Sequence, residues 1–484
     1  MQTAQYDFGM IGLGVMGSNL LLNMADAGFA AIGYDLRPER GQALEAAATP
    51  GTVVKGVSTL SEMVLSLKKP RKIMMLVPAG KPVNDVIASL LPLVEAGDIV
   101  IDGGNSYFKD TLHRVAYLHD KDIHFFGMGV SGGEMGARTG PSMMPGGDKA
   151  TYEYLKPILE AIAAKDGGGK PCVAFMGNGA AGHYVKMVHN GIEYALMQMI
   201  AEVYDVLKRG LGYSNAQLQQ TFAAWNKGPL QSFLIEITAE IFRTTDDATA
   251  GTKDFLVDKI LDQAGAKGTG KWTSQEAMDL PVSIPAIDAA VSMRQLSVYK
   301  TERVEVSKRY DAVQTFSGAD ASRLEAALEG ALQAAYIIAY AQGLSMLAKA
   351  SDVHQMDIPL PSVIQVWKSG CIIRSALLPT FEQAFAAQPH LPTLLQDEKT
   401  AQLLQQCMGD LRTAVSLSVQ AGIPVAALAS ALSYFDAYRS SRLPTNLIQA
   451  QRDFFGAHTY QRIDKEGVFH TEWQTDVEDQ TAKP

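Results

Sequence analysis

An apolar run at residues 8–11 leads directly into Gly12-Leu13-Gly14-Val15-Met16-Gly17 and a helical stretch that continues through Met24. Strand, glycine turn and helix in that order specify the opening of a βαβ fold. The first glycine permits the tight turn, the second lets a pyrophosphate reach the backbone, and the third allows the helix to pack closely. The helix start then offers unpaired N–H groups and a partial positive charge to phosphates. A purely structural turn has the same letters; the strand before and the helix after favour dinucleotide binding. The second strand ends at Asp35, where a carboxylate accepts hydrogen bonds from an adenosine ribose. An acid there favours a free 2′-hydroxyl, hence NAD over NADP, although Arg37 and Arg40 follow closely.

The rhythm set by that motif continues. Short Val-, Ile- and Phe-rich runs at 8–11, 30–35, 72–77, 98–101 and 123–126 alternate with helical stretches, which predicts a parallel sheet and an α/β Rossmann domain over residues 1–180. Strand signals stop near His183. Segments of 3.6-residue period follow at 194–209, 230–242, 254–264 and 321–349, so residues 181–440 should form a large all-α domain. Its most apolar stretch, 330–348, carries Gln333, Gln342 and Ser345 and reads as a buried helix rather than a membrane span. Residues 441–484 form a C-terminal tail too irregular for a core of its own, which must dock on something or stay loose. Within the helical part Trp225-Asn-Lys-Gly228 recurs as Trp367-Lys-Ser-Gly370, and the same offset sets Tyr194 over Tyr336, suggesting an internal duplication.

A net charge of -9 over 484 residues leaves no basic surface of the kind nucleic acid requires. Cys172, Cys371 and Cys407 lie far apart, without the spacing of a zinc site or disulfide framework, and the N-terminus has neither the basic flank nor the cleavage site of a signal peptide. A reducing cytoplasm suits such a chain.

The chemistry concentrates at 183–194. Lys186, His189, Asn190, Glu193 and Tyr194 fall on one helical face, with Met187, Val188 and Ile192 elsewhere. A solvated, salt-bridged face has the same spacing. The repeat offers a comparison, for its offset sets Leu328, Ala331, Leu332 and Ala335 opposite Lys186, His189, Asn190 and Glu193. One copy then keeps apolar packing where the other carries a full acid–base set. Two glycine-rich loops, Asp102-Gly-Gly-Asn105-Ser106 and Val130-Ser131-Gly132-Gly133-Glu134, follow later strands, where bare amides suit a carboxylate or phosphate and a simple turn is the competing reading. Lys267-Gly-Thr269-Gly-Lys271-Trp272, Arg294 and Arg452 are candidate phosphate ligands, each also readable as surface charge.

Taken together, from Phe8 to about Tyr460, these strings resemble the 6-phosphogluconate dehydrogenase family, most specifically at 130–147, 182–194, 268–272, 370–375 and 452–460. The resemblance implies a Rossmann domain, a duplicated all-helical domain and a tail that crosses to the partner of a homodimer, bringing Arg452 and His458 to its site. It implies a phosphosugar-acid substrate, a nicotinamide cofactor and no metal. By similarity Lys186 is the base and Glu193 the acid, the lysine's pKa lowered and the glutamate's raised. Asn105, Ser131, Gly132, Gly133, His189 and Asn190 would hold the carboxylate and hydroxyls; Tyr194, Lys267, Thr269, Arg294, Arg452 and His458 the phosphate. The cofactor would meet residues 12–17, Asp35, Leu36, Arg37, Val77, Ala79 and Asn105. Where NADP-using members usually read Asn-Arg-Thr, this chain reads Asp35-Leu36-Arg37, and Val77-Pro78-Ala79-Gly80 lacks the family's usual lysine, so NAD is the better expectation. Met135, often Glu in the family, looks less consequential. A shorter β-hydroxyacid dehydrogenase and a cofactor-binding protein without catalysis are the competing readings; the tail and phosphate ligands argue against the first, intact Lys186 and Glu193 against the second.

Overall fold

The computed structural model describes residues 5–246 and 254–473. By its internal contacts the chain separates into two units, Met1–Leu432 and Ser433–Pro484.

The first unit begins with a seven-stranded sheet: β1 (Phe8–Ile11), β2 (Ala31–Tyr34), β3 (Val54–Val57), β4 (Lys72–Met75), β5 (Ile99–Asp102), β6 (His124–Ser131) and β7 (Ser142–Gly146). The spatial order is β3-β2-β1-β4-β5-β6-β7, parallel throughout except for β7, which runs against β6. Between and after the strands come α1 (Val15–Asp26), α2 (Pro38–Ala46), α3 (Leu60–Leu65), α4 (Lys81–Leu90), α5 (Phe108–His119), α6 (Gly133–Thr139) and α7 (Lys149–Ile162). Both sheet faces are covered, so alternate strand residues feed two apolar layers. Phe8, Met10, Ile99 and Ile101 enter one; Ile11, Ile73, Met75 and Val100 enter the other. Because β1 lies between β2 and β4, the winding reverses there and opens a crevice at the strands' carboxyl ends. The strands β3 and β7 have no counterpart in the sequence reading. They are VKGV and SMMPG, at the sheet's two edges, where glycine, proline and lysine depress strand propensity and pairing to one neighbour decides the outcome.

Helices then take over: α8 (Ala181–Asp205), α9 (Asn215–Trp225), α10 (Phe233–Arg243), α11 (Thr269–Asp279), α12 (Pro285–Ser297), α13 (Lys300–Ser307), α14 (Gly318–Val353), α15 (Leu360–Trp367), α16 (Leu378–Ala387), α17 (Glu398–Gln420) and α18 (Ala426–Tyr438). The duplication is visible in this order. Tyr194 and Tyr336 lie on α8 and α14, Trp225 and Trp367 end α9 and α15, and Ser232 and Ser375, just before α10 and α16, pair across a short bridge. The most apolar window of α14 is 83% buried within the protein, as expected of a core helix. The helix expected over 254–264 does not form. Only a single turn, Leu256–Lys259, appears, with Ile260 and Leu261 exposed and Asp262 drawn to Lys300 and Arg303. Apolar periodicity without a surface to pack against does not sustain a helix.

The second unit carries α19 (Thr445–Gly456) and a hairpin of β8 (Tyr460–Gln461) with β9 (Val468–Phe469). The stretch whose weak periodicity offered no apolar core of its own carries a helix and a hairpin. Asp453 has no exposed surface and accepts from the backbone N–H of Thr459 (2.9 Å) and Thr471 (3.0 Å), from His470 Nδ1 (2.9 Å) and from Trp473 Nε1 (2.8 Å). Desolvation alone would raise its pKa, but these donors hold it down at about 2. Its contribution to folding is complete above the usual carboxylate value of 3.8 and is lost as pH falls through about 2. Asp453→Asn should speed amide exchange at Thr459 and Thr471 by at least about tenfold while leaving α1 unchanged. Unaltered exchange at those two amides would show that the hairpin does not depend on this carboxylate.

Candidate active site

At the crevice, the glycine turn has the geometry its sequence predicts. Gly12 has φ +92°, and a Cβ there would lie 2.4 Å from the Leu76 carbonyl oxygen; at Gly17 a Cβ would lie 2.0 Å from that of Gly12. Gly14, the N-cap of α1, faces open space with Arg40 as its only neighbour, at 3.9 Å. Two glycines thus serve the backbone and one leaves room for a ligand. A cleft of about 610 Å³ adjoins the turn, lined by Gly12, Asp35, Leu36, Arg37, Val77 and Pro78 among others. These features fit a dinucleotide. Leu13 is buried, Met16 half-buried, and Val15 and Ala79 exposed at the turn and at the loop after β4.

Asp35 is only 8% exposed. Its Oδ2 accepts from Leu13 N–H (2.8 Å) and pairs with Arg40 (3.0 Å), while Oδ1 accepts from Arg37 N–H (3.0 Å). The carboxylate therefore engages Arg40, and Leu36, at 88% exposure, lines the cleft without a charge. Arg40's pairing with Asp35 is a feature that sequence proximity alone did not assign.

The polar face of α8 is buried, not solvated. Lys186 is 6% exposed, His189 fully buried, Asn190 and Tyr194 nearly so, and the Glu193 side chain is 21% exposed. In the other repeat Leu328, Ala331, Leu332 and Ala335 are fully buried apolar residues. The helix reaches this place by backbone contact with the sheet. A Cβ on Gly129 of β6 would lie 2.4 Å from Lys186 Cβ, and one on Gly182 would lie 2.1 Å from the Gly127 carbonyl oxygen. His183, singled out by no earlier reading, ties the same junction: Nε2 lies 3.0 Å from the Asp102 carbonyl oxygen and Nδ1 2.7 Å from Thr111 Oγ1.

His189 is the hub. Its Nδ1 lies 3.0 Å from Asn190 Oδ1, 3.4 Å from Lys186 Nζ and 3.7 Å from Glu193 Oε2; its Nε2 lies 3.4 Å from Ser131 Oγ. Burial drives the three titratable groups toward neutrality. It lowers the Lys186 pKa against the opposing pull of Glu193, raises that of Glu193 against Lys186 and Arg294, and with Lys186's charge sets His189 well below the usual imidazole value. A lysine able to lose its proton and a glutamate able to keep one, two helical turns apart, make a base and an acid.

Around them, Ser131 is buried, Gly132 begins the short helix α6 with φ +117°, and Gly133 is exposed. Asn105 is exposed in a turn fixed by Asp102, whose buried carboxylate accepts from Gly104 N–H (3.0 Å) and Ser106 Oγ (2.6 Å) and meets Arg114 at 3.4 Å. The sequence showed Asp102 only as the start of a glycine-rich loop and gave no signal for Arg114, although an acid two residues before a glycine is a recognisable turn signal. On Tyr194, the residue after Glu193, the Arg294 guanidinium of α12 stacks at 3.6 Å, an interaction of about 0.5–2 kcal/mol. A Cβ on Gly270 would lie 2.5 Å from the same ring, so the start of α11, with buried Thr269, abuts Tyr194; Lys267 is exposed just before it. Arg452 and His458 belong to the second unit, both exposed, Arg452 paired with Gln449 at 3.1 Å and His458 edge-on to Phe455.

Comparison with known proteins matches residues 7–177 to the NAD binding domain of 6-phosphogluconate dehydrogenase and residues 182–473 to the C-terminal domain of the same enzyme. A Lactococcus lactis protein named 6-phosphogluconate dehydrogenase, decarboxylating, is 49% identical over 98% of this chain and 100% of its own. A Bacillus subtilis protein of that name, specified as NADP(+)-dependent, is 47% identical over 97% and 99%. The solved Plasmodium falciparum 6-phosphogluconate dehydrogenase superposes with a TM-score of 0.93 at 42% identity, covering 96% of this chain and all of that one.

Proposed function

The chain belongs to the 6-phosphogluconate dehydrogenase family, and from that premise we propose that it converts 6-phosphogluconate to ribulose 5-phosphate and carbon dioxide, with NAD preferred over NADP. It serves the pentose phosphate pathway. The nicotinamide supplies a hydride acceptor. Neutral Lys186 takes the proton of the 3-hydroxyl as the hydride leaves carbon 3. The 3-keto acid then loses carbon dioxide, its electron pair passing toward the carbonyl, where the Lys186 ammonium returns a proton to the oxygen. Glu193 delivers a proton to carbon 1 of the enediol while Lys186 takes back the hydroxyl proton at carbon 2, completing the product. Ser131, Gly132, Gly133, Asn105, His189 and Asn190 orient the carboxylate and hydroxyls; Tyr194, Lys267, Thr269 and Arg294 hold the phosphate, joined by Arg452 and His458 from the second subunit of a homodimer.

The burial of Lys186 and Glu193 around His189 with opposite pKa displacements carries this reading. Initial rates of nicotinamide reduction on 6-phosphogluconate, with carbon dioxide followed in the same samples, test it. Coupled release with NAD ahead is expected; no reduction with either cofactor would sink it.

The cofactor preference rests on Asp35 holding Arg40, together with uncharged Leu36. A 2′-phosphate would meet a carboxylate there and find the Arg40 guanidinium engaged. Asp35→Asn with Leu36→Arg releases one cation and adds another. The double variant should shift the NADP/NAD ratio of kcat/KM by about tenfold to a hundredfold, the worth of one or two charge-assisted hydrogen bonds. An unchanged ratio would remove Asp35 and Leu36 from the selectivity determinants.

A further inference from the structure

Asn105 and Thr269 stand at opposite ends of the substrate in the function proposed above, on which the following inference rests. A group of side chains that the chemistry does not use connects them. Tyr107, just past Asn105, stacks its ring on that of Trp272, in the first turn of α11, with centroids 5.0 Å apart and planes 31° from parallel. Lys109 Nζ reaches along the same helix to Glu276 Oε2 (3.3 Å) and Asp279 Oδ2 (3.0 Å). The other Glu276 oxygen pairs with His354 Nε2 at 2.7 Å, where α14 ends. Between these polar contacts, fully buried Phe108 sits edge-on to Tyr184 at 4.8 Å.

Glu276 gives the connection its stiffness. It is 1% exposed, and a buried carboxylate is tolerated only when cations or donors compensate it. Here the compensating cation, Lys109, comes from the sheet part of the unit, and a further polar partner, His354, from the end of α14. The Asn105 turn is anchored on its other side by Asp102, through Gly104 and Ser106. The turn that follows β5 and the turn that opens α11 are thus held at a set separation by groups that need not touch substrate.

We propose that Tyr107, Lys109, Trp272 and Glu276 are positioning residues that fix the distance between the carboxylate-binding and phosphate-binding ends of the site, and so select a phosphorylated sugar acid of that length. A ligand that spans both ends gains from their spacing, as a linked pair of binding groups does; a ligand that uses one end does not. Loss of the spacing weakens binding of the spanning ligand while each end keeps its own affinity, because the gain from joining the two ends depends on their separation.

Lys109→Met separates these cases when 6-phosphogluconate is the substrate and gluconate and inorganic phosphate are tested as competitive inhibitors, each engaging one end. The KM for 6-phosphogluconate should rise on the order of tenfold, with both inhibition constants and the cofactor KM unchanged and Lys109→Arg restoring the original value. An unchanged KM, or inhibition constants that rise along with it, would overturn the proposal, the latter showing damage to one end rather than to the spacing. If Lys109→Met does not fold, Trp272→Leu leaves the Glu276 pairs in place and carries the same expectation. Failure of the unaltered protein to turn over 6-phosphogluconate would count instead against the proposed function.

Discussion

Lys186→Met is expected to lose about 10²–10⁴ of kcat, the range for a positioned general base, while melting no lower than the unaltered protein. The two halves of this result have one cause. An ammonium at 6% exposure with no carboxylate in direct contact is expensive to bury, and the structure keeps it because the reaction needs a lysine that sheds its proton. Methionine preserves the stem and removes the charge. Since the folded chain holds the Lys186 proton less tightly than the unfolded chain, the penalty is full below the lowered pKa and is relieved as pH rises from there toward 10.5. The gain in Tm should accordingly be larger at mildly acidic than at alkaline pH. Glu193 belongs to the same experiment. Its raised pKa and the lowered one of Lys186 give kcat a bell-shaped pH profile, and Glu193→Gln should leave a single limb. Stopped-flow and steady-state rates across pH, with calorimetry, read all of this. A Lys186→Met protein with normal turnover, or a Glu193→Gln profile with both limbs, would refute the assignment.

The second large effect concerns the subunit arrangement. Arg452→Ala and Lys186→Met should each give a nearly inactive homodimer, yet mixing the two chains through unfolding and reassembly should recover about a quarter of the unaltered activity. The figure follows from symmetry: half of randomly formed dimers are mixed, and each mixed dimer has one site with both defects and one with neither. Features of the second unit support such an exchange. Leu447, Ile448, Phe454 and Phe455 of α19 are between 53% and 72% exposed, an apolar face unusual for a helix left in water. Among the described residues the partner of the Arg452 guanidinium is a glutamine, Gln449. Asp453 meanwhile holds helix and hairpin together, so the unit can present Arg452 and His458 as a formed piece. Activity that stays at background in the mixture, with dimer formation verified by light scattering, would mean that each site uses its own Arg452.

The sequence by itself determined the five central strands of the sheet, the glycine turn, the succession of sheet by helices and the constellation on α8. Each of these is written in local periodicity or in glycines whose backbone role is local. The repeat, too, was legible, because Trp225 and Trp367, Tyr194 and Tyr336 keep one register. Tertiary structure decided the rest. The edge strands β3 and β7 form because a neighbour supplies hydrogen bonds that their Gly- and Pro-bearing sequences do not favour, and the periodic stretch at 254–264 stays unwound because no apolar surface meets it. Spacing placed Lys186, His189 and Glu193 on one face of a helix but did not say whether that face met water. Gly129 and Gly182 let α8 press onto β6, and that contact, made between residues distant in sequence, buries the face. Desolvation is a property of the assembled environment, so the pKa displacements that suit the lysine to the proposed role of base and the glutamate to that of acid exist only once the chain has folded.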